Sequence, residues 1–315
     1  MSNTMYVVTG AGPVGWTIAE QLAGRGENVR VLTRSGSGPD HPLVERLRVD
    51  VSDPAHLAQA LDGATAVFHC IHGSAYRAKA WAAELPGAER VVMDAAAATG
   101  AVVVFPESLY SYSEPDKTIT ESSPREATGG KRGIRSALLK DRQAHPANTV
   151  SVVAGDFFGS RARMAHAGER MVPLVLKGKT VQVLGSADQP HSFTYVPDLA
   201  AAMIAAAQKP GVWNSVLHAP TGPAMTMREI AGNFARSAGV PEPKLSVVPG
   251  WLLRTLGLLS TDMRELAEML YQFERPFVMD STASQAKLGL EPTPLSDAMA
   301  ATVAWWRDQE AVASR

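Results

Sequence analysis

The sequence predicts an α/β protein built on a doubly wound parallel sheet, and three observations carry that expectation. Short Val- and Phe-rich runs bounded by Gly, Asp or Asn alternate with helical stretches through the first half of the chain. The first run, Met5–Thr9, leads straight into Gly10-Ala11-Gly12-Pro13-Val14-Gly15. An amphipathic stretch, Trp16 to Ala23, follows at once. Strands separated by helices pair in parallel with both sheet faces covered, and right-handed crossovers make the sheet doubly wound. A ligand then belongs at the carboxyl ends of the strands.

Taken in order, the expected strands are residues 5–9, 28–32, 46–49, 66–70, 101–105 and 150–154. Asp53-Pro54 makes a capped helix start with proline at the first helical position, followed by Leu57 and Leu61. Longer helices are expected over 81–99 and 132–143. After about residue 156, Pro and Gly become more frequent and the apolar runs shorten, so a second region begins there. Val196-Pro197-Asp198 opens an Ala-rich helix to Ala207, and residues 216–218 read as a strand returning to the main sheet. Thr226-Met227-Arg228-Glu229 is a capping box for a helix through Ala238. Pro241, Pro243 and Pro249 then break the chain before another helix near 261–273. The expected organisation is a Rossmann domain over 1–155, with 190–220 returning to it. Residues 156–189 and 221–315 form a smaller carboxy-terminal cap that binds substrate.

Composition narrows the classes of partner. With 315 residues, 45% of them hydrophobic, and a formal net charge of −1, the chain can bury one large core or two smaller ones. It has no basic patch and no long run of like charges, which excludes nucleic acid and anionic membrane as expected partners and leaves a small molecule. The amino terminus runs into strand-like sequence without a charged and apolar leader, and no segment approaches 18 uninterrupted apolar residues; the expected location is the cytoplasm. The single cysteine, Cys70, excludes an internal disulfide. His41, His56, His69, His145, His166 and His218 lack the close pairing that zinc requires, so no metal site is expected. Without a Gly-x-Ser-x-Gly elbow after a strand, a serine hydrolase is a poor fit.

The glycine turn points to a dinucleotide. The first glycine permits a tight strand-to-helix turn, the second lets backbone approach a diphosphate, and the third packs helix on strand. Gly10, Gly12, Pro13, Val14 and Gly15 are therefore the expected cradle, with the phosphates on free N–H groups at the helix start. The second strand ends in Thr33-Arg34-Ser35, with no acid until Asp40. A carboxylate there would select NAD, whereas a guanidinium grips the 2′-phosphate of NADP. NADP is the expected cofactor, and NAD remains possible.

Further segments extend this pattern: Asp50-Val51, the run from Phe105-Pro106-Glu107-Ser108 through Leu109-Tyr110-Ser111-Tyr112, and Glu121-Ser122-Ser123-Pro124. Later come Gly155-Asp156-Phe157-Phe158-Gly159, Phe193-Thr194-Tyr195-Val196-Pro197-Asp198 and Pro292-Thr293-Pro294. With them the chain resembles, over nearly its whole length, the extended and atypical short-chain dehydrogenase/reductase superfamily, which includes nucleotide-sugar epimerases and dehydratases. The resemblance implies a cofactor in the amino-terminal domain and substrate in the cleft under the cap. It places Asp50 at the adenine amino group, Val51 against the ring, and Cys70, Ile71 and His72 along the ribose. Arg135, Asp156 and Phe157 complete the implied cofactor site.

Superfamily members use Ser or Thr with a Tyr-x-x-x-Lys motif, whose tyrosine exchanges a proton with the reacting oxygen. Ser108 occupies the serine position, but the place for the motif holds Lys131-Arg132-Gly133-Ile134-Arg135, and no tyrosine lies between Tyr112 and Tyr195. The expected catalytic residues are Ser108, Tyr110 and Lys131, since a phenol with an ordinary pKa near 10 needs a cation close by. His72, His191 and Tyr112 are further proton-donor candidates. Tyr76, Tyr112, Phe158 and His191 are the expected substrate contacts, with core packing the alternative for the aromatics and an exposed loop the alternative for His191. The stripe Trp81, Leu85, Ala88, Val92, Ala95 and Ala96 faces either the sheet or a homodimer partner. Trp251, Leu252, Leu253, Leu256, Leu258 and Leu259 suggest an apolar pocket or lid, or a helix packed on its own domain. The expected activity is NADP(H)-dependent oxidoreduction of a carbonyl/alcohol pair in a small organic or sugar-derived substrate. Epimerisation or dehydration with bound NAD(P), and dinucleotide sensing without catalysis, are the alternatives.

Overall fold

The computed structural model describes residues 4–313; residues 1–3 and 314–315, at the outer ends of the expected domains, lie outside the described residues. Strands and helices alternate as β1 (Met5–Thr9), α1 (Pro13–Gly24), β2 (Asn28–Thr33), β3 (Val44–Arg48), α2 (Pro54–Ala60), β4 (Ala64–His69), α3 (Ala78–Thr99), β5 (Val102–Ser108), α4 (Gly130–Ala144) and β6 (Thr149–Ala154). Then come β7 (Asp156–Phe158), α5 (Val172–Leu176), β8 (Val181–Leu184), β9 (Phe193–Tyr195), α6 (Val196–Ala207), β10 (Ser215–His218), α7 (Met227–Ala238) and β11 (Leu245–Val248). The chain ends in α8 (Gly250–Leu256), α9 (Thr261–Ala267), α10 (Tyr271–Glu274), α11 (Thr282–Leu288) and α12 (Leu295–Ala313).

Among the described residues, seven strands form one parallel sheet in the order β10-β6-β5-β4-β1-β2-β3. The order reverses between β1 and β4, and a doubly wound sheet opens a crevice at such a point. Successive residues of β1 serve opposite faces: Val8 packs with α1 and α6, while Val7 packs with α2 and α3. Covering on both sides is why these strands are continuously apolar rather than alternating. Burial of each such valine contributes roughly 1.5–3 kcal/mol.

Local signals read from the sequence recur as contacts. Asp53 Oδ1 accepts hydrogen bonds from the backbone N–H groups of Ala55 and His56 at the start of α2. The Thr226/Glu229 capping box opens α7 with both reciprocal bonds formed. Asp198, in the first turn of α6, accepts from the Thr293 backbone N–H at 2.9 Å and its hydroxyl at 2.5 Å, joining two segments far apart in sequence. The smaller β7–β9 and β11–β8 pairs lie outside the main sheet. A second core gathers Phe158, Val172, Val175, Phe193, Phe234 and Trp306.

Some expectations shift. The third strand runs over Val44–Arg48 rather than 46–49, because its register against β2 pairs Val29 with Val44. The helix expected over 261–273 divides into α9 and α10. Between them the backbone tightens into turns with the N–H of Met269 on the Leu266 carbonyl and that of Leu270 on Ala267, burying Met269 and Leu270. On α3 the apolar stripe faces inward, with Trp81, Leu85, Val92 and Ala96 buried. Trp251, Leu258 and Leu259 stand on the surface, at 67%, 81% and 93% exposure, while Leu253 is buried. No helix of the described residues is long and apolar enough to cross a membrane.

Candidate active site

The turn after β1 is shaped by what its glycines exclude. Gly10 has φ +88°, and a side chain there would meet the Cys70 carbonyl oxygen at 3.0 Å and Ile71 Cγ1 at 3.1 Å. A Cβ on Gly15 would lie 2.0 Å from the Gly10 carbonyl oxygen. At Gly12, by contrast, a Cβ meets nothing within 4 Å. Helix α1 starts at Pro13 with no side-chain cap on its first amides, and Val14 is buried beneath it. Open space beside uncapped helix N–H groups suits a diphosphate, so this cradle fits the dinucleotide the turn implies.

Beyond β2 the hydroxyls of Thr33, Ser35 and Ser37 bond to one another within the loop, and Arg34 is exposed beside them. Arg48 lies against Gly36 in the same loop. Asp40 turns to Arg46 at 3.4 Å. Asp50 accepts from the Ser52 hydroxyl at 2.7 Å and the Ser52 backbone N–H at 3.0 Å, which hold its carboxyl below the usual range, with Arg34 adding to the effect. Val51 is buried in the core behind it.

At the ends of β4 and β5 an aromatic platform forms. Trp81 is 1% exposed, and its Nε1 has no partner. Tyr110 stacks on Trp81 at 6.3 Å, Tyr76 and His72 meet it edge-on at 5.5 and 4.7 Å, and the Arg135 guanidinium lies 4.8 Å above it. The hydroxyls of Tyr76 and Tyr110 are 2.9 Å apart. Burial, reinforced by the Asp156 carboxylate, pushes Tyr110 up to about 12, and desolvation raises Tyr76 as well. Both phenols therefore stay protonated at neutral pH and are donors. Ser108 ends β5 two residues before Tyr110, and its N–H and hydroxyl donate to Glu107 Oε1 at 2.8 and 3.3 Å.

Helix α4 places Lys131, Arg135, Leu138, Leu139 and Arg142 on its buried face, at helical spacing. Three cations on an inward stripe must find anions, because an unpaired buried charge is prohibitively costly. Arg142 pairs with Glu89 at 2.5 Å and with Glu107 at 2.9 Å; Arg135 lies 3.5 Å from Glu107. Lys131 is 0% exposed. Its Nζ donates to Glu265 Oε2 at 2.5 Å, Glu268 Oε2 at 2.7 Å and the Glu265 carbonyl at 2.9 Å, and it also lies 4.8 Å over the Tyr76 ring. Its backbone N–H donates to Glu268 Oε1 at 2.8 Å. The amine expected to activate a tyrosine is thus neutralised by two carboxylates and anchors the chain around α9 to α4. A cleft of about 480 Å³ lined by Ala78, Gly130, Arg132, Arg264 and Glu268 opens beside this anchor.

Three more expectations are corrected by burial. Tyr112 is 0% exposed and bonds through its hydroxyl to His218 Nε2 at 2.6 Å, so it is a core residue with no face for substrate. Phe158 is likewise buried, packed on Tyr195 and Phe234. Phe157 is half-buried against the main core. His191 is no exposed loop residue: it is 2% exposed and bonds Asp156 Oδ2 at 3.0 Å. The Cys70 thiol is driven upward by burial and is inert as a nucleophile. The sequence marks none of Glu89, Arg142, Glu265, Glu268 and Gln272 as a site residue, and Glu107 only as a neighbour of Ser108 in its motif. The α4 spacing was the one signal that pointed to Arg142; nothing local marked the others. Among the described residues, no group of three His, Cys, Asp or Glu side chains could hold a metal ion.

Comparison with known proteins gives these features a context. A family model, the NAD dependent epimerase/dehydratase family, matches residues 6–215. A UDP-glucose 4-epimerase of Streptomyces lividans is 24% identical over 277 residues, covering 78% of this chain and 84% of that protein. An uncharacterized protein of Sinorhizobium fredii is 26% identical over 221 residues; the match covers 66% of this chain and about half, 54%, of that protein's length. Among solved structures, the UDP-glucose 4-epimerase of Thermotoga maritima with UDP-glucose superposes with a TM-score of 0.76 at 17% identity, covering 98% of this chain and 100% of that one. That of Thermus thermophilus with NAD gives 0.74 at 21% identity, covering 96% and 99%. Structural likeness at such identities establishes the fold, and the family model matches about two thirds of the chain: it belongs to the NAD dependent epimerase/dehydratase family.

Proposed function

We propose that this protein is an NADP(H)-dependent oxidoreductase acting on a carbonyl/alcohol pair of a small organic or sugar-derived substrate. The observation that carries the reading is the uncapped start of α1 beside open Gly12, next to a loop that offers Arg34 and hydroxyls. Gly10, Gly12, Pro13, Val14 and Gly15 would hold the diphosphate, Arg34 and Ser35 a 2′-phosphate, and Arg135 the nicotinamide ribose. Asp50 and Val51 would border the adenine, Cys70, Ile71 and His72 the adjoining ribose, and Asp156 and Phe157 the nicotinamide end.

The bound nicotinamide supplies the hydride. The chain's own part is to orient the substrate oxygen between Ser108 and Tyr110 and to donate a proton to it. A phenol held near 12 is a competent donor to an alkoxide, which is more basic still. Tyr76 supports Tyr110 through the 2.9 Å hydroxyl contact and borders the substrate with His191 behind it. A homodimer, in the cytoplasm, is part of the same proposal.

Calorimetric titration with NADP, NADPH, NAD and NADH tests the reading. Micromolar or tighter binding that favours the phosphorylated pair supports it, and no binding to any of the four overturns it. Arg34→Ala should weaken NADP roughly tenfold or more while leaving NAD nearly unchanged, since one charge-assisted phosphate contact is lost. Ser108→Ala should lower turnover by about tenfold or more with cofactor affinity intact. The Streptomyces lividans relative favours a second reading, epimerisation or dehydration with retained NAD(P). Cofactor carried through purification, identified by mass spectrometry, would select it; oxidised cofactor bound tightly without turnover would instead indicate a sensor.

A further inference from the structure

The Asp156 carboxylate acts electrostatically on both phenols of the tyrosine pair, and His191 is bonded to it. His191 is packed among Phe193, Phe273 and Phe277, with ring centroids 5.0, 5.3 and 5.5 Å away. Its Nδ1 lies 3.0 Å from the Gln272 carbonyl oxygen, and its Nε2 lies 3.0 Å from Asp156 Oδ2. A carbonyl oxygen only accepts, so Nδ1 carries a hydrogen. A neutral imidazole protonated there would turn the Nε2 lone pair onto a carboxylate, which is repulsive. The 3.0 Å contact therefore requires one more proton in the pair, on Nε2 or on Asp156.

That proton is stored close to the donors. The Asp156 carboxylate acts electrostatically on Tyr76, Tyr110 and Tyr271, which reach it from three different segments of the chain. Gln272 links the two groups: its carbonyl holds His191, and its side-chain amide acts on the Tyr110 hydroxyl. The Tyr271 hydroxyl and Gln272 Oε1 are buried without a partner, and such atoms are stable only when a water or ligand completes them. The other charged or titratable groups facing this cluster are His166 beside Asp156, Arg135 beside Tyr110, and Arg132 and Glu268 beside Tyr271. Lys131, over Tyr76, is neutralised by its two glutamates.

We propose that the Asp156–His191 pair is the proton store that reloads the Tyr110–Tyr76 hydroxyls, taking the place of the Tyr-x-x-x-Lys arrangement that α4 lacks. The proposal rests on the hydride-transfer reading above. In the reducing direction, the carbonyl carbon receives the hydride from the reduced nicotinamide as its C=O π bond breaks, and the oxygen takes the Tyr110 proton. Tyr110 recovers a proton from Tyr76, and the pair restores Tyr76. Solvent then returns one proton to the pair, so each turnover consumes one hydride and one proton. His191 and Asp156 touch no substrate; they are positioning residues for Tyr110.

The test uses the full chain in five forms: wild type, Asp156→Asn, His191→Gln, Tyr110→Phe and the His191→Gln/Tyr110→Phe double variant. Nitrogen-15 NMR of labelled histidine counts the hydrogens on His191, and carbon-13 NMR of labelled aspartate shows whether Asp156 carries the proton instead, both without any need for turnover. The wild type at neutral pH should show the shared proton, and Asp156→Asn, which is isosteric and keeps the cluster packed, should lose it. Steady-state reduction of a carbonyl substrate with NADPH should show kcat about tenfold lower in Asp156→Asn and His191→Gln at unchanged KM, with a larger solvent isotope effect. Adding His191→Gln to Tyr110→Phe should cost nothing more. A wild-type pair with the shared proton on neither His191 Nε2 nor Asp156, an unchanged isotope effect, or additive losses in the double variant would overturn the proposal. Wild-type protein that binds no dinucleotide would overturn the hydride-transfer reading instead, with the NMR arm still deciding the pair.

Discussion

Lys131→Met removes the cation around which the cap is anchored, and the structure sets the size of the effect. Two carboxylates, 2.5 and 2.7 Å from Nζ, would be left facing each other at side-chain exposures of 16% and 25%. Breaking a buried ion pair from one side costs about 3–5 kcal/mol, because the remaining charge loses its compensation. At roughly 2.1 cal/mol/K per residue, unfolding 315 residues carries about 660 cal/mol/K, so the Tm should fall by about 5–8 °C. Adding Glu265→Gln and Glu268→Gln removes the orphaned charges. The amide oxygens can still accept from the Ala78 and Lys131 backbone N–H groups that the carboxylates serve now. The triple variant should therefore return to within about 2 °C of the wild type, as uncharged replacements of buried pairs do. Scanning calorimetry of the three proteins decides the matter. A single variant that melts with the wild type, or a triple variant that melts with the single one, would refute the anchoring role.

The glycine cradle makes a paired prediction: Gly15→Ala should lower both Tm and dinucleotide binding, since its Cβ would lie 2.0 Å from a carbonyl oxygen. Gly12→Ala, with open space around its Cβ, should fold normally and lose binding alone, and equal melting losses in the two would sink the assignment. His69, bonded to Thr9 and packed on Phe105, is pulled down to about 4, chiefly by burial. The unfolded chain takes up this proton first, near pH 6.5, so the contribution is complete above that pH and is lost as pH falls toward 4. The loss amounts to about 3 kcal/mol at 1.36 kcal/mol per unit. Urea unfolding of His69→Gln should show a flatter acid limb than the wild type, and parallel limbs would reject the account.

The sheet was legible because its signals are short in range. Met5–Thr9 before the glycines, Asp53-Pro54 and the Thr226/Glu229 box each act within a few residues, and each appears in the fold as read. The strand limits at Val44–Arg48 moved because register depends on the partner β2, which lies elsewhere in the chain. Residues 261–273 read as one helix from their composition, yet they divide where Glu265 and Glu268 are drawn onto Lys131.

By itself the sequence determined the parallel α/β sheet, the dinucleotide turn and the absence of Tyr-x-x-x-Lys, since all three are written in neighbouring residues. The state of the polar side chains was decided only in three dimensions. Lys131 meets its glutamates across 134 and 137 positions, Tyr112 meets His218 across 106, and Asp156 meets His191 across 35. The physical reason is that burial makes a charge or a hydroxyl depend on its partner, and packing alone selects that partner. The same residue types left in solvent would have been an ordinary lysine, an exposed tyrosine and a loop histidine.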